Sequence, residues 1–239
     1  MNDLRLDPSQ PVNAARHLPL WTASPQPDHI EPGPALSPLS LSPSSINRHW
    51  QPLIQSWHTG ATDPDFQPGW AQIRWDETGL HYDALFMGAG ARNSARHLNE
   101  KTWELGDVGE IFVETGTSPT YLELHVTPEN SRLQLHWTAD GLTRVRNKAA
   151  TLEDFMIGQH DWVQSRAKVG PNFWAFQVSV PAARFGLARL HAGQLLRTAV
   201  CRYHYQKCGR PALSSTALLP SPFFHHREGW HPLLLDNAH

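Results

Sequence analysis

Apolar and polar residues alternate repeatedly along the chain from residue 70 onward. Tyr121–Val126 is the clearest case, because every second residue is aliphatic and the residues between are aromatic or polar. A period of two is typical of a half-buried β-strand. The pattern predicts strands over Trp70–Trp75, Leu80–Met87, Glu110–Glu114, Tyr121–Val126, Ser131–Trp137, Trp162–Val169, Phe173–Val180, Leu196–Tyr205 and Pro232–Leu235.

Turn sequences separate these segments and join neighbouring ones. Asp76–Gly79, for example, joins the first two predicted strands into a hairpin. Many short strands with almost no helical periodicity predict an all-β fold, an antiparallel β-sandwich of two sheets, immunoglobulin-like or jelly-roll-like, with less than about 15 % helix. A single helical turn is expected within Pro181–Leu190.

Proline divides the chain into two regions. Of the 20 prolines, 12 lie in residues 1–68 and only three lie between residues 69 and 180. Because each proline fixes φ and removes a backbone donor, the first region is expected to form no long helix and no central strand. We therefore expect an irregular Pro-rich N-terminal region at 1–68, packed on a β-sandwich domain at 69–239. For residues 1–16 a disordered tail is the alternative.

The charge balance narrows the classes of partner. The formal net charge is −2 with neutral histidines, so no overall positive field is available for nucleic acid or for an anionic membrane surface. Neither partner is expected, whereas a protein partner is left open. Residues 1–20 lack the basic start and apolar stretch of a signal peptide, so the sequence alone predicts a cytoplasmic location and leaves the true localisation unknown.

One polar loop with aromatic and acidic residues after it stands out as a candidate ligand site. Arg92–Asn99 is rich in Arg, Asn and His, and it is followed by Trp103, Asp107 and Glu110. An indole face stacks on the C–H face of a sugar ring, while carboxylates and guanidinium groups bond the neighbouring hydroxyls. The alternative is structural: Trp103 closes the sandwich and Asp107 caps a loop.

Three blocks of sequence resemble the family 9 carbohydrate-binding modules and their DOMON-like relatives. They are Trp103–Val113, Tyr121–Pro128 and Ala217–Leu235. The resemblance implies a β-sandwich that holds the end of a sugar chain between two aromatic rings. It places the first ring at Trp103, an acidic contact at Glu110 and the second ring at Phe223 or Phe224, with Phe224 the better match. Where sugar-binding members have an arginine in the next strand, this chain has Glu123.

The predicted function is therefore that of a noncatalytic carbohydrate-binding module-like protein, whose partner is a saccharide or glycoconjugate. The alternative is a stand-alone DOMON-like structural or protein-interaction module without sugar binding. The predicted ligand-binding residues are Trp103, Glu110, Phe224, Asp107, Arg96, Asn99 and His226.

Catalysis and cofactors are not expected. Asp107 and Glu110 are three positions apart, so they face opposite sides of a strand and are unsuited to act together on one glycosidic bond. No nucleophile elbow, Gly-rich phosphate loop or zinc-type cysteine pair is present. No haem signature surrounds Met87 or Met156. The sequence contains 15 histidines, but it does not show whether they converge, so the expectation of no metal and no cofactor leaves that question open.

Overall fold

Two β-sheets pack face to face in the computed structural model, which describes residues 21–25, 49–115, 119–158, 163–206 and 209–236. The strands in these residues are β1 (Trp21–Pro25), β2 (Gln51–Pro52), β3 (Gly69–Asp76), β4 (Gly79–Met87), β5 (Val108–Thr115), β6 (Tyr121–Val126), β7 (Arg132–Trp137), β8 (Gln164–Val169), β9 (Phe173–Pro181), β10 (Leu195–Tyr205), β11 (Pro211–Ser215) and β12 (His231–Leu235). The helices are α1 (Thr102–Leu105), α2 (Gly141–Arg146) and 3₁₀ turns at Glu153–Phe155, Ala182–Phe185 and Arg227–Gly229.

Strands make up 44 % of the described residues and helices 11 %, which confirms the predicted all-β sandwich with little helix. The strand predicted to begin at Trp162 starts at Gln164, and Trp162 itself lies outside the described residues. The 3₁₀ turn at Ala182–Phe185 confirms the helical turn expected in that region.

Each sheet has a simple order. Sheet I runs β7-β6-β5-β10-β12, and β11 pairs with the second half of β10. Sheet II runs β3-β4-β9-β8, and β2 pairs with β3. All these pairs are antiparallel.

Strand β1 corrects one expectation about the Pro-rich region. Its first three residues pair in parallel with β12 of sheet I and its last two pair in parallel with β3 of sheet II, so it joins the two sheets and is not an edge strand. The prediction of no central strand before residue 69 was therefore wrong. The prolines at 19 and 25 leave Trp21–Ser24 free of proline, and each of these residues keeps the backbone donor that a central strand requires.

The main hydrophobic core lies between the two sheets. Its members in sheet I come from alternate strand positions such as Ile111, Val113 and Leu124, and all are buried. One polar pair is included, since the Tyr82 hydroxyl lies 3.0 Å from Thr198 Oγ1, which in turn donates to the Phe112 carbonyl. Both hydroxyls of this pair thus have hydrogen-bond partners, as burial requires, whereas the Trp174 Nε1 in the same core has none among the described residues.

A second hydrophobic cluster lies on the opposite face of sheet I, which we call the outer face. It contains Phe112, Leu135 and Trp137 from the strands, and it is covered by α2, by Glu153–Phe155 and by the segment 217–230. Sheet I is therefore buried on both faces. We call α2, Glu153–Phe155 and 217–230 the covering segments.

The described part of the region before residue 69 contacts the sandwich directly. Trp50 and Leu53 are buried, and Ile54 exchanges backbone hydrogen bonds with Ser215. The prediction that all of 1–68 packs on the domain extends to residues outside the described ones and stays a prediction. In the described part of the chain, no helix has the length and apolar character needed to span a membrane.

Candidate functional site

A cavity of about 280 Å³ lies between the outer face of sheet I and the covering segments. Strands β5, β6, β7 and β10 form its floor, and α1, α2 and the loop before the last 3₁₀ turn form its walls. We call it the aromatic cavity. It is lined by Trp103, Glu110, Glu123, Leu135, Trp137, Leu142, Val145, Arg146, Leu152, Tyr203, Pro222, Phe223, Phe224 and His225.

Three titratable side chains meet at the floor. Glu110 on β5 is in register with His125 on β6, and Glu123 lies two residues before His125 on the same face of the strand. His125 Nε2 lies 2.8 Å from Glu123 Oε1 and 3.4 Å from Glu110 Oε1. All three residues are at most 4 % exposed. Strand pairing alone therefore brings two carboxylates and an imidazole together away from water.

Neighbouring groups hold this cluster in place. His125 Nδ1 lies 2.7 Å from Thr102 Oγ1, and the Trp137 indole Nε1 donates to Glu123 Oε2 over 2.5 Å. Glu110 differs from Glu123, because among the described residues its one polar side-chain contact is the 3.4 Å ion pair with His125. A buried carboxylate without a close donor carries a desolvation cost that its surroundings do not offset.

The pKa values of the cluster follow from burial and from mutual attraction. Burial raises the pKa of the Glu110 carboxyl to about 8, while His125 and Glu123 act on it in opposite directions. Burial also acts to raise the pKa of Glu123, but His225, His125 and Trp137 outweigh it and the pKa is lowered. Burial acts to lower the pKa of His125, yet Glu110 and Glu123 outweigh it and the pKa is raised. At neutral pH Glu123 is therefore ionised and Glu110 is largely protonated, while the two carboxyl groups favour the protonated form of His125.

His225 extends the cluster toward the covering segments. Its Nδ1 lies 2.8 Å from the Tyr121 hydroxyl, and its Nε2 lies 3.8 Å from Glu123 Oε2. Burial lowers the pKa of His225 despite the nearby Glu123 carboxylate. This second imidazole is therefore neutral at physiological pH and keeps a lone pair.

Aromatic rings form much of the wall. The half-buried Trp103 on α1 meets the His125 ring edge to face, with centroids 5.6 Å apart, and its carbonyl accepts a 2.5 Å hydrogen bond from the Tyr205 hydroxyl. The half-buried Phe223 lies under the Arg146 guanidinium at 4.4 Å. Rings that are only partly covered by protein have surface left to stack on a ligand.

Three of the seven predicted ligand-binding residues line this cavity: Trp103, Glu110 and Phe224. Phe224 is only 4 % exposed, and its ring packs against Phe112 and Tyr203 with centroids 6.5 and 5.5 Å apart. Most of its surface is therefore used in the second hydrophobic cluster, whereas the neighbouring Phe223 is less covered.

Asp107 and Arg96 lie elsewhere. Asp107 Oδ1 bonds His204 Nδ1 over 2.8 Å, beside the buried Arg202, and so lies on the other side of the sheet from Glu110, as the alternation predicted. The Arg96 guanidinium donates to the carbonyls of Asn93 and Ala95 within its own loop. Both residues are used to fix local backbone and side-chain structure.

Asn99 and His226 also lie outside the cavity. Asn99 has a φ of +67°, and its Oδ1 accepts the backbone N–H of Gln134 over 2.9 Å, so the residue fastens the polar loop to β7. His226 Nδ1 lies 3.5 Å from the exposed carboxylate of Glu228. The sequence analysis placed Arg96 and Asn99 at the site because they precede Trp103 closely in sequence. In the structure, hydrogen bonds within the loop hold Arg96 and a hydrogen bond to β7 holds Asn99, so neither side chain lines the cavity.

The sequence interpretation did not include several residues that the fold brings to the cavity. Glu123, Trp137, Tyr203 and His225 line it, and His125 contacts the Trp103 ring of its wall. A signal was present in β6, because Tyr121, Glu123 and His125 share one strand face by alternation. No local signal pointed to His225, which reaches the site through the covering segments.

Comparison with solved structures shows the fold. This chain is similar to a proposed carbohydrate-binding protein from Bacteroides uniformis, with a TM-score of 0.60 and 15 % identity over 81 % of this chain and 88 % of that one. It is also similar to a family 9 carbohydrate-binding module from Caldicellulosiruptor kristjanssonii, solved with cellotriose and with glucose. Both TM-scores are 0.57, at 10 % identity over 91 % of this chain and 94 % and 96 % of those chains. No protein-family model and no curated protein matches the sequence.

Proposed function

We propose that this chain is a noncatalytic saccharide-binding module whose ligand occupies the aromatic cavity. The observation that carries the proposal is the combination of half-buried aromatic rings, Trp103 and Phe223, with the carboxyl groups of Glu110 and Glu123 at the floor. Rings stack on the apolar face of a sugar, and carboxyl groups bond its hydroxyls. Two of the similar structures are described as complexes with cellotriose and glucose, which supports the same ligand class.

The size of the cavity favours a single sugar unit over a long chain. Its volume of about 280 Å³ lies just below the roughly 300–1,000 Å³ range of small-molecule sites. A terminal residue of a saccharide or glycoconjugate fits this volume. Glu123 stands at the floor with its charge paired by His125, so the site offers hydrogen-bond acceptors and an imidazolium.

A binding role without catalysis agrees with the position of the two carboxyl groups. Glu110 and Glu123 approach the same nitrogen of His125, so their oxygens converge on one point of the floor. A glycosidase requires carboxyl groups that flank the scissile bond from two sides. We therefore expect a bound oligosaccharide to be recovered intact.

The test is a glycan-array screen of the full chain, followed by calorimetric titration with the best ligand, cellotriose and glucose. Trp103→Ala is expected to bind about 5- to 30-fold more weakly, because a stacking contact is worth about 1–2 kcal/mol. Trp70→Ala is the matched control, since Trp70 is a half-buried indole on sheet II, away from the cavity.

Two results would contradict the proposal: a wild-type protein that binds no saccharide, or equal weakening by both tryptophan variants. Absence of binding would favour the DOMON-like structural or protein-interaction alternative. Release of shorter sugars during incubation would contradict the noncatalytic part.

A further inference from the structure

The buried cluster Glu110, Glu123 and His125 has the composition and spacing of a metal site. One carboxylate oxygen from each glutamate and one ring nitrogen lie within 4.8 Å of one another. Ligands bound to zinc at 2.0–2.1 Å in a tetrahedron are about 3.3 Å apart. The observed separations from His125 Nε2 to the two carboxylates, 2.8 and 3.4 Å, are already close to that value.

The groups behind these side chains are those that a metal site requires. Thr102 Oγ1 lies 2.7 Å from His125 Nδ1, where it can accept that proton and leave Nε2 free to bind an ion. Trp137 Nε1 donates to the second oxygen of Glu123, leaving the first oxygen directed at His125. Such outer partners orient metal ligands and set their tautomer and basicity.

Glu110 gives a second and independent indication. Its side chain is 3 % exposed, lines the cavity, and among the described residues has no hydrogen-bond donor closer than the 3.4 Å imidazole. In the form that binds an ion, with Glu110 and Glu123 ionised and His125 neutral, the site carries a charge of −2 where little water reaches. A divalent cation balances that charge, whereas the protein groups in the structure leave Glu110 without a close partner.

We propose that Glu110, Glu123 and His125 bind one divalent transition-metal ion, with zinc as the best match, at the floor of the aromatic cavity. The imidazole nitrogen favours zinc and its neighbours over calcium and magnesium, which prefer all-oxygen sites. Binding displaces the proton from His125 Nε2 and the proton held by Glu110. His225, which lines the cavity with its Nε2 3.8 Å from Glu123 Oε2, is a candidate for a further ligand.

The test is calorimetric titration of the EDTA-treated, dialysed full chain with zinc, manganese, calcium and magnesium chlorides. The wild type is expected to bind one zinc ion per chain with a Kd of about 1 µM or lower. Glu110→Gln and His125→Gln are expected to weaken zinc binding at least about 100-fold, and Thr102→Val, which removes an outer partner, about 10-fold. His226→Gln is the control, because His226 is a more exposed histidine outside the cavity, and it is expected to leave binding unchanged.

Absence of one-to-one zinc binding to the wild type would overturn the proposal. So would Glu110→Gln and His125→Gln variants that bind zinc as tightly as the wild type, since the ion would then be held by other histidines. Circular dichroism checks that each variant folds, and Glu110→Gln keeps the test decisive if His125→Gln does not. The metal proposal does not depend on a saccharide, so a failed glycan screen leaves it standing.

Discussion

The two faces of sheet I are equally buried but are built from different chemistry. The inner face of β5 and β6 presents Ile111, Val113 and Leu124 to the core between the sheets, where only shape and volume matter. The outer face of the same strands presents Glu110 and His125, which are just as inaccessible to water. Burying apolar groups is favourable, whereas burying charged groups is costly unless they are paired.

The outer face therefore carries a desolvation penalty from its charged residues that the fold itself does not require. Aliphatic residues at positions 110, 123 and 125 would continue the second hydrophobic cluster of Phe112 and Leu135 without any charge to desolvate. Titratable groups with shifted pKa values in a cavity are a common mark of a binding or reactive site. The outer face therefore combines core packing with ligand-binding chemistry, and single substitutions can separate these roles.

The largest loss of stability is expected from Phe224→Ala. Its ring is buried among Phe112, Tyr203 and Trp57, so truncation should lower the free energy of unfolding by about 3–5 kcal/mol. Urea denaturation followed by Trp fluorescence measures this. The half-buried Phe223→Ala is the control and should lose less stability. A stable Phe224→Ala variant with lost saccharide binding would instead assign this ring to the ligand.

On the inner face, Leu124→Ala should cost about 2–5 kcal/mol of unfolding free energy, because it leaves a void between the sheets. Ligand affinity of the folded fraction should stay at the wild-type value. Thermal melting and calorimetry at low temperature measure the two quantities separately. Leu195→Ala, at a position 57 % exposed, should change neither. Weaker ligand binding by a folded Leu124→Ala variant would show that the two faces are not independent.

The pH dependence of stability distinguishes the faces directly, since Ile111, Val113 and Leu124 on the inner face carry no titrating group whereas Glu110 on the outer face does. The pKa of Glu110 is raised from its ordinary value of 4.5 to about 8 on folding, so the folded chain binds more protons than the unfolded chain between these values. Stability from this group is therefore present below about pH 4.5 and is lost as pH rises toward 8. Glu110→Gln should therefore reduce the loss of unfolding free energy with rising pH by roughly 2–4 kcal/mol.

Urea midpoints from pH 5 to pH 9 in EDTA measure that change. Glu77→Gln is the control, because Glu77 is exposed and its ion pair is with the equally exposed Arg189. Parallel pH profiles for wild type and Glu110→Gln would show that Glu110 is ionised in the folded chain throughout this range.

The smallest effect on stability is expected from Asn99→Ala. This variant tests whether the ligand site extends from the aromatic cavity to Asn99. Its Oδ1 accepts the Gln134 N–H and its φ is +67°, so alanine should lower stability by about 1–2 kcal/mol without changing ligand affinity. Asn99→Gly keeps the backbone conformation and should lose less. Thermal shift and titration provide the two readouts, and a selective loss of ligand affinity would restore Asn99 to the site.

Most of the sandwich was predictable because alternation in the strands is a local property. The strand predicted at Tyr121–Val126 is β6 residue for residue, and the hairpin at Asp76–Gly79 joins β3 to β4. Strand β1 was not predictable in the same way, since its five residues, which end with Pro25, become a central strand only through partners from distant parts of the chain.

The site was predictable only in part. Trp103, Glu110 and Phe224 could be placed together by resemblance, but alternation cannot tell whether the polar positions of a strand face water or a second covering layer. All six residues of β6 are buried, including Glu123 and His125. That outcome depends on the covering segments, whose packing against sheet I is a tertiary property.

Strand β1 also constrains the order in which the strands can pair during folding. Its hydrogen bonds join a segment near residue 21 to β12 near residue 233. During synthesis β1 is made early, but one of its two neighbours is made after every other described strand. Pairings between such distant segments close late and slowly, because the loop entropy is lost before the contacts are gained. The edges of β1 and β10 that pair with β12 therefore stay unpaired until β12 is made, and this interval is when a chaperone or a second nascent chain has access to them.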